Sequence, residues 1–259
     1  MGQLWIYAAL CGSAFLAGAI NAIAGGGTLL TFPALLAVLS PVSANGTSTM
    51  ALLPGSIASA WAYRQDAAHP PRLLWWLFLP SLIGGLIGTL LVTRTDERYF
   101  AMLIPWLILG ASLLFTVQPL VAQLVKAGSA AGSMNHTIAQ LTALAFAQFL
   151  VSIYGGYFGA GIGILMLTAL AYMGFSDVHQ MNALKAILAT LINGVAAALF
   201  FAEGRVEWRY AIPMALSAIA GGYIGARLSL RFKSASVRRV VIFIGFGIGG
   251  YYLWKQYAR

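Results

Sequence analysis

Apolar residues in this chain do not alternate with polar ones; they gather in long runs parted by short polar or charged breaks. Ten runs can be read, at about 4–23, 28–40, 44–63, 73–93, 99–118, 138–157, 160–174, 184–202, 209–229 and 237–254. As helices rising about 1.5 Å per residue, most of them cover the roughly 30 Å hydrocarbon core of a bilayer. The runs at 28–40 and 160–174 are shorter, so each predicts a broken, re-entrant or thin helix. The period-two alternation of a membrane β-barrel is missing, and the predicted spans are helical.

One long stretch rich in Gly, Ser and polar residues, about 119–137, reads as a linker between a first repeat at 1–118 and a second at 138–259. Laid over each other at an offset of about 135–137, the halves match GGLIGT (Gly84–Thr89) to GGYIGA (Gly221–Ala226), Gly26 to Gly161 and Asn45 to Asn182. If each of the five segments of a half crosses the membrane, the number of crossings is odd and the second half is turned over relative to the first; a short segment that does not span changes that parity. The predicted fold is therefore an all-α polytopic membrane protein built as two inverted repeats of about five helical segments each, with the short helices near the centre.

Composition agrees with the pattern. With 60% apolar residues, 8% charged and a mean hydropathy of +0.84, the chain exceeds what a soluble core of 259 residues needs. The net charge of +9 comes from basic residues at the ends of runs, which suits membrane orientation and anionic headgroups better than nucleic acid. A periplasmic N-terminus places the densest basic cluster, Arg227 to Arg239, on the cytoplasmic side of an inner membrane. No Lys or Arg precedes the first run, so it does not read as a cleaved signal peptide. Cys11 has no partner for an internal disulfide and reads as a small core residue.

Candidate chemistry lies where the pattern is interrupted. Gly25–Gly26–Gly27 before Thr28, and Gly159 to Gly163 with Gly161 at its centre, each open a short helix. A helix start leaves backbone N–H groups unpaired at the positive end of the dipole, an arrangement suited to anions. Close helix packing is the competing use of such glycines, and it is the expected role of GGLIGT and GGYIGA. After each short run come small polar residues: Asn45, Thr47 and Ser48 in the first half, Asn182 and Lys185 in the second. Capping is their plainer use, while hydrogen bonding to an oxyanion and a positive charge at Lys185 are the functional one. Asp177 and His179 precede Asn182, and His69 and His136 fall in expected loops. Zinc-ligand spacing, a Walker A loop, Gly-x-Ser-x-Gly and paired intramembrane carboxylates are all missing, so neither an enzyme nor a cofactor or metal is expected.

GGGTLLTFPALL, then ANGTS and a helix ending in Tyr63–Arg64, resembles the first repeat of the TauE/SafE sulfite exporter family, also called the 4-toluene sulfonate uptake family. GGYFGAGIG, NALK and GGYIGARLSLRF resemble its second repeat, so the resemblance covers nearly the whole chain. It implies a secondary carrier of small anions, chiefly sulfite and organosulfonates, working without ATP hydrolysis. It also implies a substrate site at Gly25, Gly26, Gly27, Asn45, Thr47, Gly161, Gly163, Asn182 and Lys185. Thr168 stands where the family often has a proline matching Pro33, so the two short helices are expected to differ in shape. The expected partners are the bilayer and a small anion, and a homo-oligomer is compatible with the sequence. A channel-like anion pathway, and a membrane enzyme or scaffold, are the competing readings.

Overall fold

The computed structural model describes residues 2–23, 25–65, 73–128, 138–172, 175, 177–228 and 234–258. Among them are ten helices and no strand: α1 (Gly2–Ile23), α2 (Thr28–Leu36), α3 (Pro41–Ala62), α4 (Leu73–Arg94), α5 (Glu97–Gly128), α6 (Ile138–Tyr157), α7 (Ile162–Tyr172), α8 (Val178–Ala202), α9 (Trp208–Leu228) and α10 (Ser234–Tyr257). By length and composition α1, α4, α5, α6, α8 and α9 can each cross a membrane. The outer surface carries large apolar side chains such as Trp5, Trp75, Trp106 and Phe243, which suit contact with acyl chains rather than water. The described residues thus form an all-α protein with several helices able to cross a membrane.

Helix starts differ from expectation in an instructive way. α3 begins at Pro41, behind an extended Ser40, because proline is favoured in the first turn, where its missing N–H goes unused. α8 begins at Val178, capped by Asp177, whose carboxylate accepts the His179 backbone N–H at 2.8 Å. Asn45, Thr47 and Ser48, and likewise Asn182 and Lys185, therefore lie inside their helices and are not caps. α5 continues to Gly128, past the expected end at 118. His69, His136 and residues 129–137 lie outside the described residues.

The short elements α2 and α7 have 9 and 11 residues, so each covers only about half of a hydrocarbon core. Each follows a long helix through a glycine with positive φ, +71° at Gly25 and +80° at Gly159, a region that L side chains rarely enter. Both glycines send their N–H back five residues, Gly25 to the Ile20 carbonyl at 3.0 Å and Gly159 to the Tyr154 carbonyl at 3.2 Å. Gly25 and Gly159 thus hold alike places, each with positive φ and a five-residue return bond ahead of a short helix.

Packing between the halves is reciprocal. α1 lies parallel to α9, with Phe15 beside Gly221, Gly18 beside Ala218 and Ala19 beside Gly225. α4 lies parallel to α6, with Gly84 beside Phe149 and Gly88 beside Ile153. GGLIGT and GGYIGA form these contacts: a Cβ on Gly88 or Gly221 would land on a backbone carbonyl of the neighbouring helix. Small residues permit that approach, and hydroxyls bridge it, Thr89 to the Gly156 carbonyl and Ser59 to the Gly222 carbonyl, both at 3.2 Å. α3 also runs parallel to α9, through Gly55 beside Ala218 and Ser59 beside Gly222, and antiparallel to α8. α5 and α10 pair antiparallel, with Ser112 beside Gly245 and Leu109 beside Gly249. Exchanging α1–α5 for α6–α10 carries the α1–α9 pair into the α4–α6 pair and the α3–α9 pair into the contact of α4 with α8, and returns the α3–α8 and α5–α10 pairs to themselves.

Candidate functional site

The two glycine turns meet inside the bundle. A Cβ added to Gly25 would lie 2.7 Å from the Gly163 Cα, so the turn before α2 and the first residues of α7 are in backbone contact. Beside that contact lies a cavity of about 40 Å³, room for about three waters. Gly25, Gly26 and Thr28 border it from the first turn, and Gly159, Ile162 and Gly163 from the second. Ser56 and Ser59 of α3 and Lys185, Ala186, Ala189 and Asn193 of α8 close the sides, and Asn21 of α1 completes the wall.

Lys185 is the charged residue of this wall and is 2% exposed. Its ammonium donates to the Ala22 carbonyl at 3.0 Å and to the Asn182 Oδ1 at 2.9 Å, which leaves one of its three N–H groups. Among the described residues no carboxylate pairs with it. The described acids stand at helix ends: Asp177 at the start of α8, and Asp96, Glu97, Glu203 and Glu207 at the ends that join α4 to α5 and α8 to α9. A buried cation without a counter-ion is costly by several kcal/mol, and an anion brought beside it offsets that cost.

The neutral groups point the same way. The Asn21 Oδ1 accepts the N–H groups of Gly26 at 2.9 Å and Gly27 at 2.7 Å. Two of the donors expected to meet an anion are thereby taken by a side chain, and the amide is held with its Nδ2 donors turned away from the turn. The second glycine turn has Gly155 where the first has Asn21, and among the described residues no acceptor takes the N–H of Gly161, Ile162 or Gly163.

The remaining expected residues sit elsewhere. Asn45 donates to the Tyr157 carbonyl at 2.9 Å, and its Oδ1 is buried without a partner. The Thr47 hydroxyl accepts the Glu207 N–H at 3.0 Å, and the Ser48 and Thr31 hydroxyls share a bond of 2.6 Å. These three residues tie α3 to the end of the molecule where Glu97 holds Ser40 at 3.0 Å and Arg205 at 3.2 Å. Of the residues expected at a site, the structure brings Gly25, Gly26, Thr28, Gly163 and Lys185 to the cavity. Asn182 reaches it through Lys185, whereas Gly27, Gly161, Asn45, Thr47 and Ser48 are buried outside it. Asn21, Ser56, Ser59 and Asn193 were not foreseen. The signal for the two asparagines was a lone amide within an apolar run, which in a membrane segment calls for a partner or a function.

Comparison with known proteins adds the lineage. The chain is 29% identical over 234 residues to a probable membrane transporter protein of Haemophilus influenzae, covering 90% of this chain and 88% of that one. It is 25% identical over 249 residues to the probable membrane transporter protein YfcA of Escherichia coli, covering 95% and 89%, and 29% identical over 255 residues to one from Xylella fastidiosa, covering 93% and 92%. No solved structure matches it. The profile of the sulfite exporter TauE/SafE family matches residues 10–252, and the chain, a multi-pass membrane transporter, belongs to that family.

Proposed function

We propose that this protein is a secondary carrier that exports a small anion, such as sulfite or an organosulfonate, with the anion bound in the cavity between the two glycine turns. The observation that carries the reading is Lys185, a buried ammonium on the cavity wall with one N–H to give and no carboxylate partner among the described residues. The third N–H of Lys185, the Asn21 amide and the start of α7 replace part of the anion's hydration shell. Gly27, Gly161, Asn45, Thr47 and Ser48 act in holding the turns and α3, and Asn182 acts by steering Lys185.

The reciprocal pairing of helices supports two inverted repeats. α4 ends beside the start of α3, through Ser40 and Glu97, so α1, α3, α5 and α9 run one way and α4, α6, α8 and α10 the other. Every long helix then opposes its counterpart. Alternating access follows as an exchange of conformation between the halves around the glycine turns. A membrane potential negative inside drives anion export by about 2.3 kcal/mol per charge per 100 mV, so the reading needs no second ion.

Purified protein in a thermal-shift assay against sulfite, thiosulfate, sulfonates and carboxylates tests the reading. The expected result is stabilisation by at least one small anion, saturating with concentration, and a loss of affinity of roughly 10- to 100-fold in Lys185→Gln, the worth of one charge-assisted hydrogen bond. Proteoliposome efflux that rises linearly with substrate would instead favour a channel, and stabilisation unchanged in Lys185→Gln would displace the site.

A further inference from the structure

We infer that the cavity selects a small oxyanion carrying a single negative charge, and discriminates against a dianion of the same size and against a bulky aryl sulfonate. The inference rests on the anion-carrier reading and specifies its substrate class.

Charge is the first part of the argument. Lys185 is the one basic side chain among the residues that border the cavity, and the other polar side chains there, Asn21, Thr28, Ser56, Ser59 and Asn193, carry no charge. A monoanion beside the ammonium leaves the buried site with no net charge. A dianion leaves one negative charge uncompensated in a region of low dielectric, and neutral donors soften that cost without removing it. Among the described residues no carboxylate intervenes, since each acid lies at a helix end and none pairs with Lys185.

Hydrogen bonding is the second part. Two N–H groups of Lys185 are held by the Ala22 carbonyl and Asn182 Oδ1, so the ammonium is fixed and offers a single charge-assisted bond. The Asn21 amide is oriented by Gly26 and Gly27, so its Nδ2 can donate and cannot present its oxygen. Asn21 is thereby left with donors alone, which suits an oxyanion, while Ser56 and Ser59 spend their hydroxyl hydrogens on the Leu52 and Gly55 carbonyls.

Size is the third part. About 40 Å³ accommodates a group that displaces about three waters, which admits an oxyanion head and excludes an aromatic ring. The backbone contact of Gly25 with Gly163 and the Phe115 ring against Gly26 prevent the cavity from widening between the turns without a rearrangement of the halves.

Three probes separate these terms: methanesulfonate, small and singly charged; sulfate, of similar size and shape but doubly charged; and 4-toluenesulfonate, singly charged and large. Binding of each to the purified full chain is measured by calorimetry at one pH and ionic strength. Methanesulfonate is expected to bind, with sulfate and toluenesulfonate each at least about tenfold weaker. Lys185→Gln is expected to lose methanesulfonate binding, while Lys185→Arg, which keeps the charge, retains part of it and controls for folding. Sulfate binding within about threefold of methanesulfonate overturns the charge selection, and toluenesulfonate binding at that level overturns the size selection. If none of the three binds, nor any member of the wider anion panel, the carrier reading itself falls and takes this inference with it.

Discussion

Asn21 shows how one side chain serves both fold and site. Its Oδ1 accepts from Gly26 and Gly27, two N–H groups that the turn into α2 leaves without backbone partners. Replacing it with leucine strands both donors in an apolar setting, at about 1–3 kcal/mol each, so Asn21→Leu is expected to unfold at markedly lower temperature in detergent. Asn21→Asp separates the two roles. The carboxylate keeps the acceptor for both glycines and places a negative charge on the cavity wall that also carries Lys185. Thermal stability without anion is expected to hold or rise, while stabilisation by an added anion disappears, because the site then contains its own counter-ion. Unchanged anion stabilisation in Asn21→Asp would argue that the anion binds away from this wall.

Between elements the glycine rows control how closely helices approach, and single substitutions there have a direction that the contacts fix. A Cβ on Gly221 would meet the Phe15 carbonyl of α1, a backbone atom that cannot swing aside, whereas a Cβ on Gly110 meets nothing within 4 Å. Gly221→Ala is expected to cost about 1–3 kcal/mol through overpacking, and Gly110→Ala to be neutral or slightly stabilising, as melting of the two variants side by side will report. These rows were legible as packing surfaces in the sequence because both copies lie within full-length apolar runs. The number of helices and the two short ones were legible too, since hydrophobic length carries that information directly. Helix starts were not: α3 and α8 begin earlier because Pro41 and Asp177 start them, and a small polar residue such as Asn45 reads the same as a cap or as an interior residue. The candidate site was legible only where an irregular feature marked it, at the glycine turns and Lys185. Asn193 and Ser56 reach the cavity by virtue of helix rotation, which an evenly apolar run does not encode.

At the scale of the whole molecule the two halves contribute unlike residues to the cavity wall. In sequence, the spacing that relates Asn45 to Asn182 sets Ser48 against Lys185, yet Ser48 is wholly buried against Thr31 while Lys185 borders the cavity. On the Ser48 side the halves are joined by Asn45 to Tyr157, Thr47 to Glu207 and Glu97 to Arg205. None of these joints is strong. The Glu97–Arg205 pair is exposed at 40% and 38%, so its worth is at most about 1 kcal/mol, and Asn45 leaves its Oδ1 unpaired when the joint is closed. A closure of this kind can open at modest cost, as alternating access requires. If the halves exchange conformation, Ser48 takes the place that Lys185 now has, and a thiol at position 48 becomes reachable from the end that carries Glu97. In a Cys11→Ala background, Ser48→Cys is therefore expected to react slowly with a membrane-impermeant maleimide added from that end. Glu97→Gln is expected to speed the reaction by up to about fivefold, the population shift that about 1 kcal/mol allows. A saturating anion that binds the cavity in the present conformation should slow it again, and equal labelling with and without the Glu97 substitution would show that this ion pair has no part in closing that end.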